Sequence, residues 1–68
     1  MRIEYIQKAD LLYVRFDPRP QEVTNRRVSD HIVLDLGAGE RVVGLEILNA
    51  SRYVDIEQLR SFKSQVFD

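Results

Sequence analysis

The sequence has no cysteine, no tryptophan, one histidine, two prolines and three glycines among its 68 residues. Without cysteine there can be neither a disulfide framework nor a thiolate metal site. The single imidazole, His31, leaves little room for histidine-based catalysis or metal binding, and no cofactor is expected. A chain of this length buries only about 60% of its unfolded surface, and small domains commonly add a disulfide, a metal or a partner chain. With the first two removed, oligomerisation is the expected source of extra stability. An excess of charge is also lacking: ten basic and eleven acidic residues give a net charge of −1. A dedicated nucleic-acid binder carries a basic excess, so only a local patch could support that role. No apolar run approaches the roughly 20 residues of a membrane span. The opening Met1-Arg2-Ile3-Glu4-Tyr5 is charged from its second residue and carries no secretory signal pattern, so the expected location is cytoplasmic.

What is present is an ordinary globular composition, 44% hydrophobic and 31% charged, consistent with a single domain over 1–68. The densest apolar stretch is Ile32 to Leu48, IVLDLGAGERVVGLEIL, which reads as two strands around a Gly37-Ala38-Gly39-Glu40 turn. Placing Leu36 opposite Arg41 sets Leu34 against Val43 and Ile32 against Leu45, with Ile47 continuing a core-facing row. The reverse face carries His31, Val33, Asp35, Val42, Gly44, Glu46 and Leu48. It is half apolar, more so than a solvated antiparallel face should be, which predicts a covering partner over Val33, Val42, Gly44 and Leu48.

Upstream, residues 2–6 and 11–16 alternate polar and apolar around the loop Gln7-Lys8-Ala9-Asp10. Pairing Ile6 with Leu11 gathers Ile3, Tyr5, Leu12, Val14 and Phe16 on one face and Arg2, Glu4, Tyr13 and Arg15 on the other, where Glu4 and Arg15 can meet diagonally. Pro18 and Pro20 stiffen a connector, and Gln21 to Ser29, with Arg26 and Arg27 pointing to opposite faces, reads as a charged edge strand. After Leu48 the period changes: Asn49-Ala50-Ser51 reads as a turn, Asp55 as a helix N-cap with Gln58 at capping-box spacing, and Ile56, Leu59, Phe62 and Val66 as one apolar stripe. Lys63 suits the C-terminal half of such a helix.

The segments Ala9-Asp10-Leu11-Leu12-Tyr13-Val14-Arg15-Phe16, Val33-Leu34-Asp35-Leu36, Val42-Val43-Gly44-Leu45-Glu46-Ile47-Leu48 and Ala50-Ser51 together resemble a prokaryotic family of small proteins, domain of unknown function 2283. Three positions depart from its usual pattern: Ala38 and Gly39 stand where acidic residues are more usual, and Asn49 where Asp is frequent. The resemblance implies a small β-meander with a C-terminal helix. It implies no activity; antitoxin-like or regulatory roles fit its prokaryotic spread.

Four candidate sites follow from the residues. His31, Asp35 and Glu46 share a face, with His31 opposite Glu46 in the register above, the geometry of an acid–base pair or metal site. A cross-strand charge pair explains the same residues, and one histidine gives poor ligand spacing. Ser51 lacks a nucleophile elbow and more simply satisfies polar groups where sheet gives way to helix. Gly37 and Gly39 belong to a turn rather than a phosphate cradle, and Gly44, inside a strand, marks a bulge or a close approach by a tyrosine, the helix or a partner. Arg15, Arg19, Arg26 and Arg27, near Tyr13, are the one candidate nucleic-acid patch, with Arg15, Arg26 and Arg27 as its expected contacts. These readings together predict an α+β fold, an antiparallel β-meander of about five strands with one C-terminal helix packed on one face. The expected role is a non-catalytic protein-interaction module acting as a homodimer or in a complex. A nucleic-acid-binding domain and an enzyme using His31 with Asp35 or Glu46 are the alternatives.

Overall fold

Alternating residues set the first hairpin. In the computed structural model, which describes residues 1–61, β1 (Arg2–Ile6) and β2 (Leu11–Arg15) pair antiparallel in the expected register, Ile6 opposite Leu11 and Ile3 opposite Val14. The loop closes as one 3₁₀ turn, Gln7–Ala9, ended by Asp10 in the left-handed region at φ 50°. The Glu4–Arg15 contact does not form: Glu4 pairs with Arg2 at 2.7 Å, and Arg15 turns to backbone carbonyls of the following loop.

Three further strands complete the sheet: β3 (Thr24–Arg27), β4 (Ile32–Leu36) and β5 (Val42–Leu48). All pairs are antiparallel, in the order β1-β2-β5-β4-β3. The chain is thus not a strict meander, because β2 is followed in space by β5 and not by β3. Composition explains the order. β5 (VVGLEIL), the longest strand and the one with most apolar side chains, takes the centre, whereas β3 (TNRR) is exposed throughout and belongs at an edge. The proline-bearing connector carries the chain past the β4–β5 turn to that far edge. Asp17 anchors it, its carboxylate accepting from Arg19 Nε at 3.0 Å and Nη2 at 2.6 Å. Those bonds hold the Asp17 carboxyl well below the usual carboxylate range.

The central hairpin pairs Leu34 with Leu45 and Ile32 with Ile47, two residues away from the expected register. Two separate one-residue shifts produce the difference. The loop is shorter than expected, Gly37 N donating to Arg41 O at 2.8 Å, and a bulge then places Asp35 opposite Gly44 with Val43 as the extra residue. One shift alone would turn the strand over; two restore the faces. Leu34, Leu45 and Ile47 therefore share a face as expected, but His31 lies level with Leu48 and not with Glu46.

After β5, Asn49 adopts φ 53° and a 3₁₀ turn, Ala50–Arg52, leads to α1 (Ile56–Arg60). Asp55 caps α1 as expected, accepting from Gln58 N at 3.2 Å. Ile56 and Leu59, with Ile3, Tyr5, Gln7, Leu12 and Arg60, line a cleft of about 280 Å³. The remainder of the expected stripe, Phe62 and Val66, and Lys63 lie outside the described residues.

The core is thin. Among the described residues, Leu12, Leu36, Val43 and Ala50 are the buried hydrophobic ones, and the other apolar side chains of the sheet are half-buried or exposed.

Candidate functional site

Four strands each contribute to a polar cluster at the middle of one sheet face. Register places Tyr13 (β2) opposite Glu46 (β5), and Asp35 (β4) between Gly44 (β5) and Asn25 (β3). Tyr13 leans diagonally over Gly44, which has no side chain to obstruct it: a Cβ at Gly44 would stand 2.7 Å from the tyrosine oxygen. The hydroxyl reaches Asp35 Oδ2 at 3.1 Å, while Asn25 Nδ2 donates to Asp35 Oδ1. Asp35 is buried and both its oxygens are engaged. The close approach expected at Gly44 is therefore made by the chain's own tyrosine.

Glu46 stands beside this carboxylate. Burial pushes its carboxyl above the usual glutamate value, and the negative charge of Asp35, with a hydrogen bond to it, pushes the same way. His31 is not part of this pair; its ring stacks on Tyr53 with centroids 3.7 Å apart and planes 12° apart, and its Nδ1 lies 3.4 Å from Ser29 Oγ. The expected His31–Glu46 pair is therefore not assembled. Among the described residues no group of three or more His, Asp or Glu side chains is arranged to hold a metal ion.

A second polar cluster was not foreseen as a unit. Asp10 Oδ1 accepts from Tyr5 Oη at 2.7 Å and from Ser51 N at 3.0 Å, and Oδ2 accepts from Ser51 Oγ at 2.8 Å. The Asp10 carbonyl takes Ala50 N at 2.9 Å. Ser51 is thus occupied by a carboxylate and not poised as a nucleophile. The Tyr5 and Ser51 bonds hold the Asp10 carboxyl below its ordinary value and push the Tyr5 phenol up. The sequence carried a signal for this clasp, a polar loop residue before a strand and a serine after one, but nothing in their spacing tied residues 41 apart.

The arginines do not converge. Arg15 donates to Asp17 O and Arg19 O, Arg27 to Asp30 O at 2.9 Å, and Arg26 to Glu40 at 2.7 Å. Register puts Arg26 level with Leu34, on the face opposite Arg15 and Arg27. Arg15 lies on β2, three strand positions from β3, a distance of about 14 Å across the sheet. Of the expected interface residues, Val33 and Leu48 stay together on the Asp35 face, half-buried. Gly44 is buried under Tyr13, and the bulge sets Val42 opposite Leu36, on the other face. No helix among the described residues is long and apolar enough to cross a membrane.

Fold and clusters together define a small antiparallel-sheet domain whose polar side chains are turned to one another. Residues 2–51 match the family described as Protein of unknown function (DUF2283), and the chain belongs to that family. Nothing matches among the curated proteins or the solved structures. The residues that carried the resemblance now have physical roles: Asp10 with Ala50-Ser51 closes one end of the sheet, and Tyr13, Asp35, Gly44 and Glu46 form the central cluster.

Proposed function

We propose that this chain is a small, non-catalytic protein-interaction module of the cytoplasm, working as a homodimer or inside a complex. The observation that supports it is exposed apolar surface. Stable domains pack two layers around a shared core, and among the described residues Leu12, Leu36, Val43 and Ala50 are the buried hydrophobic residues, while Ile6, Phe16, Val23, Val28, Val42 and Tyr53 stand exposed. A partner that covered part of that apolar surface would add to the core. Polar clusters that satisfy themselves fit a scaffold better than a reaction centre: both Asp35 oxygens are taken, and Tyr13 fills the space above Gly44.

The test is the native mass and composition of the tagged protein recovered from its own host. A species heavier than one chain, whether a multiple of it or a fixed-stoichiometry complex, supports the module. A monodisperse monomer with no co-purifying chain overturns it. Excess ultraviolet absorbance from bound nucleic acid would also overturn it, in favour of the arginine reading.

A further inference from the structure

Arg2 and Arg15 stand directly opposite one another across β1 and β2, on the face that also carries Glu4 and Tyr13. Like charges in that position destabilise a sheet unless something offsets them. Arg2 has Glu4 at 2.7 Å, but the pair is exposed at both ends and holds the guanidinium weakly. Arg15 is half-buried, and its guanidinium is fixed by carbonyls: Nε donates to Asp17 O at 2.6 Å and Nη2 to Arg19 O at 3.0 Å. Among the described residues no ion pair includes Arg15, and its Nη1 makes no hydrogen bond. The two arginines line a cleft of about 330 Å³ with Met1, Pro18 and Pro20. Its far wall is stiff. Both prolines have a fixed φ, and between them Arg19 gives its backbone N–H to Asp17 Oδ1 at 3.1 Å and takes Gln21 Nε2 on its carbonyl at 3.2 Å. Alternation puts this cleft on the sheet face turned away from Tyr5 and Leu12, which line the cleft beside α1, and at the other end of both strands.

We propose that the cleft between Arg2 and Arg15 binds the phosphate group of a phosphate monoester. Charge is the first argument. A monoester carries about −1.5 to −2 at pH 7 and three acceptor oxygens, so it can answer two guanidiniums at once. A carboxylate or the diester of a nucleic-acid backbone brings a single charge and leaves the opposed arginines less well offset. Preorganisation is the second. Arg15 is already held by two carbonyls and the wall by two prolines, so a ligand meets donors whose ordering costs little on binding. Size is the third. The cleft falls near the lower end of the roughly 300–1,000 Å³ of small-molecule sites, with room for an organic group beyond the phosphate.

Titration of inorganic phosphate into the isotope-labelled full chain tests this, read by backbone amide shifts in nuclear magnetic resonance against sodium chloride at matched ionic strength. Saturable shifts are expected at Arg2, Arg15, Phe16 and Arg19 at about pH 7.5, and weaker binding at about pH 5, below the second phosphate pKa of about 6. Arg15→Gln and Arg2→Gln, made singly, should each raise the dissociation constant by about tenfold or more. Arg60→Gln, on α1, should leave it unchanged. Far-ultraviolet circular dichroism reports folding, and Arg2→Gln alone decides the matter should Arg15→Gln not fold. Glycerol phosphate and a phosphoserine peptide, titrated in the same way, separate a small-molecule source from a modified polypeptide, and tighter binding of either supports the site. Shifts no larger than chloride produces, or binding that both glutamine variants retain in full, overturn it. Equal affinity at the two pH values overturns the dianion and with it the monoester.

Discussion

Asp10 and Asp35 each accept a tyrosine hydroxyl, Tyr5 on Asp10 at 2.7 Å and Tyr13 on Asp35 at 3.1 Å, but their neighbours differ in kind. Asp10 faces donors only: a phenol, a serine hydroxyl and a backbone N–H, which together favour its ionised form. Asp35 has a phenol and an amide as donors, but a second carboxyl, Glu46, stands close enough to be driven toward its protonated form. The first arrangement fastens two distant segments by charge-assisted hydrogen bonds. The second crowds two acids in the middle of a sheet and leaves one of them sensitive to pH. An aspartate that accepts a tyrosine hydroxyl is thus no single device; the sign of the nearest neighbour decides what it does.

Substitutions sharpen this contrast. The largest effect is expected from Gly44→Val, which drives a side chain into the space of Tyr13 and separates its hydroxyl from buried Asp35. Overpacking and a lost partner for a buried carboxylate should together cost about 2–3 kcal/mol, read by urea unfolding. Unchanged stability would mean that Tyr13 does not need the gap. Asp10→Asn should lower Tm at neutral pH by keeping an acceptor but removing the charge. Because folding lowers the Asp10 pKa, its ionised form contributes stability above the unfolded value, and that contribution is lost as pH falls through the folded one. The gap between wild type and Asp10→Asn should therefore close in acid; a constant gap would contradict the charge-assisted clasp.

Glu46→Gln should have the smallest effect and the opposite sign. Folding raises the Glu46 pKa, so its favourable contribution is complete below the unfolded glutamate value, about 4.3, and is lost as pH rises through the folded value. A neutral glutamine should therefore stabilise the protein at pH 7 by about 0.5–1 kcal/mol, the scale of a like-charge cross-strand pair, and make no difference at low pH. Thermal melts of both proteins across that range check it, and a destabilised variant at pH 7 would show that Glu46 is needed ionised.

Much of this arrangement was legible in the residues. Period-two alternation gave the first hairpin to the residue, and Asp55 with Gln58 located the helix start. The edge position of the strand bearing Arg26 and Arg27 followed from its charge. Other features were not readable. Strand order depends on which apolar strand wins the centre of the sheet, a competition among long-range pairings that local pattern does not encode. The His31–Glu46 pairing failed because the loop and the bulge each moved the register by one; Gly44 marked a bulge or a close approach, and both occur there, but it did not say which residue would be the extra one. The Asp10–Ser51 clasp was hidden for a related reason: its two halves meet only after β2 and β5 have paired.

That paired shift in the central hairpin also limits how the gene for such a protein can change length. Val43 is opposite no residue of β4, so its loss would leave Leu36 facing Val42 and Asp35 facing Gly44. The loss of one residue farther along β5, between Leu45 and Leu48, would exchange the two sides of everything beyond it. A change of length is therefore absorbed where the ladder already has a spare residue and refused where every residue is paired.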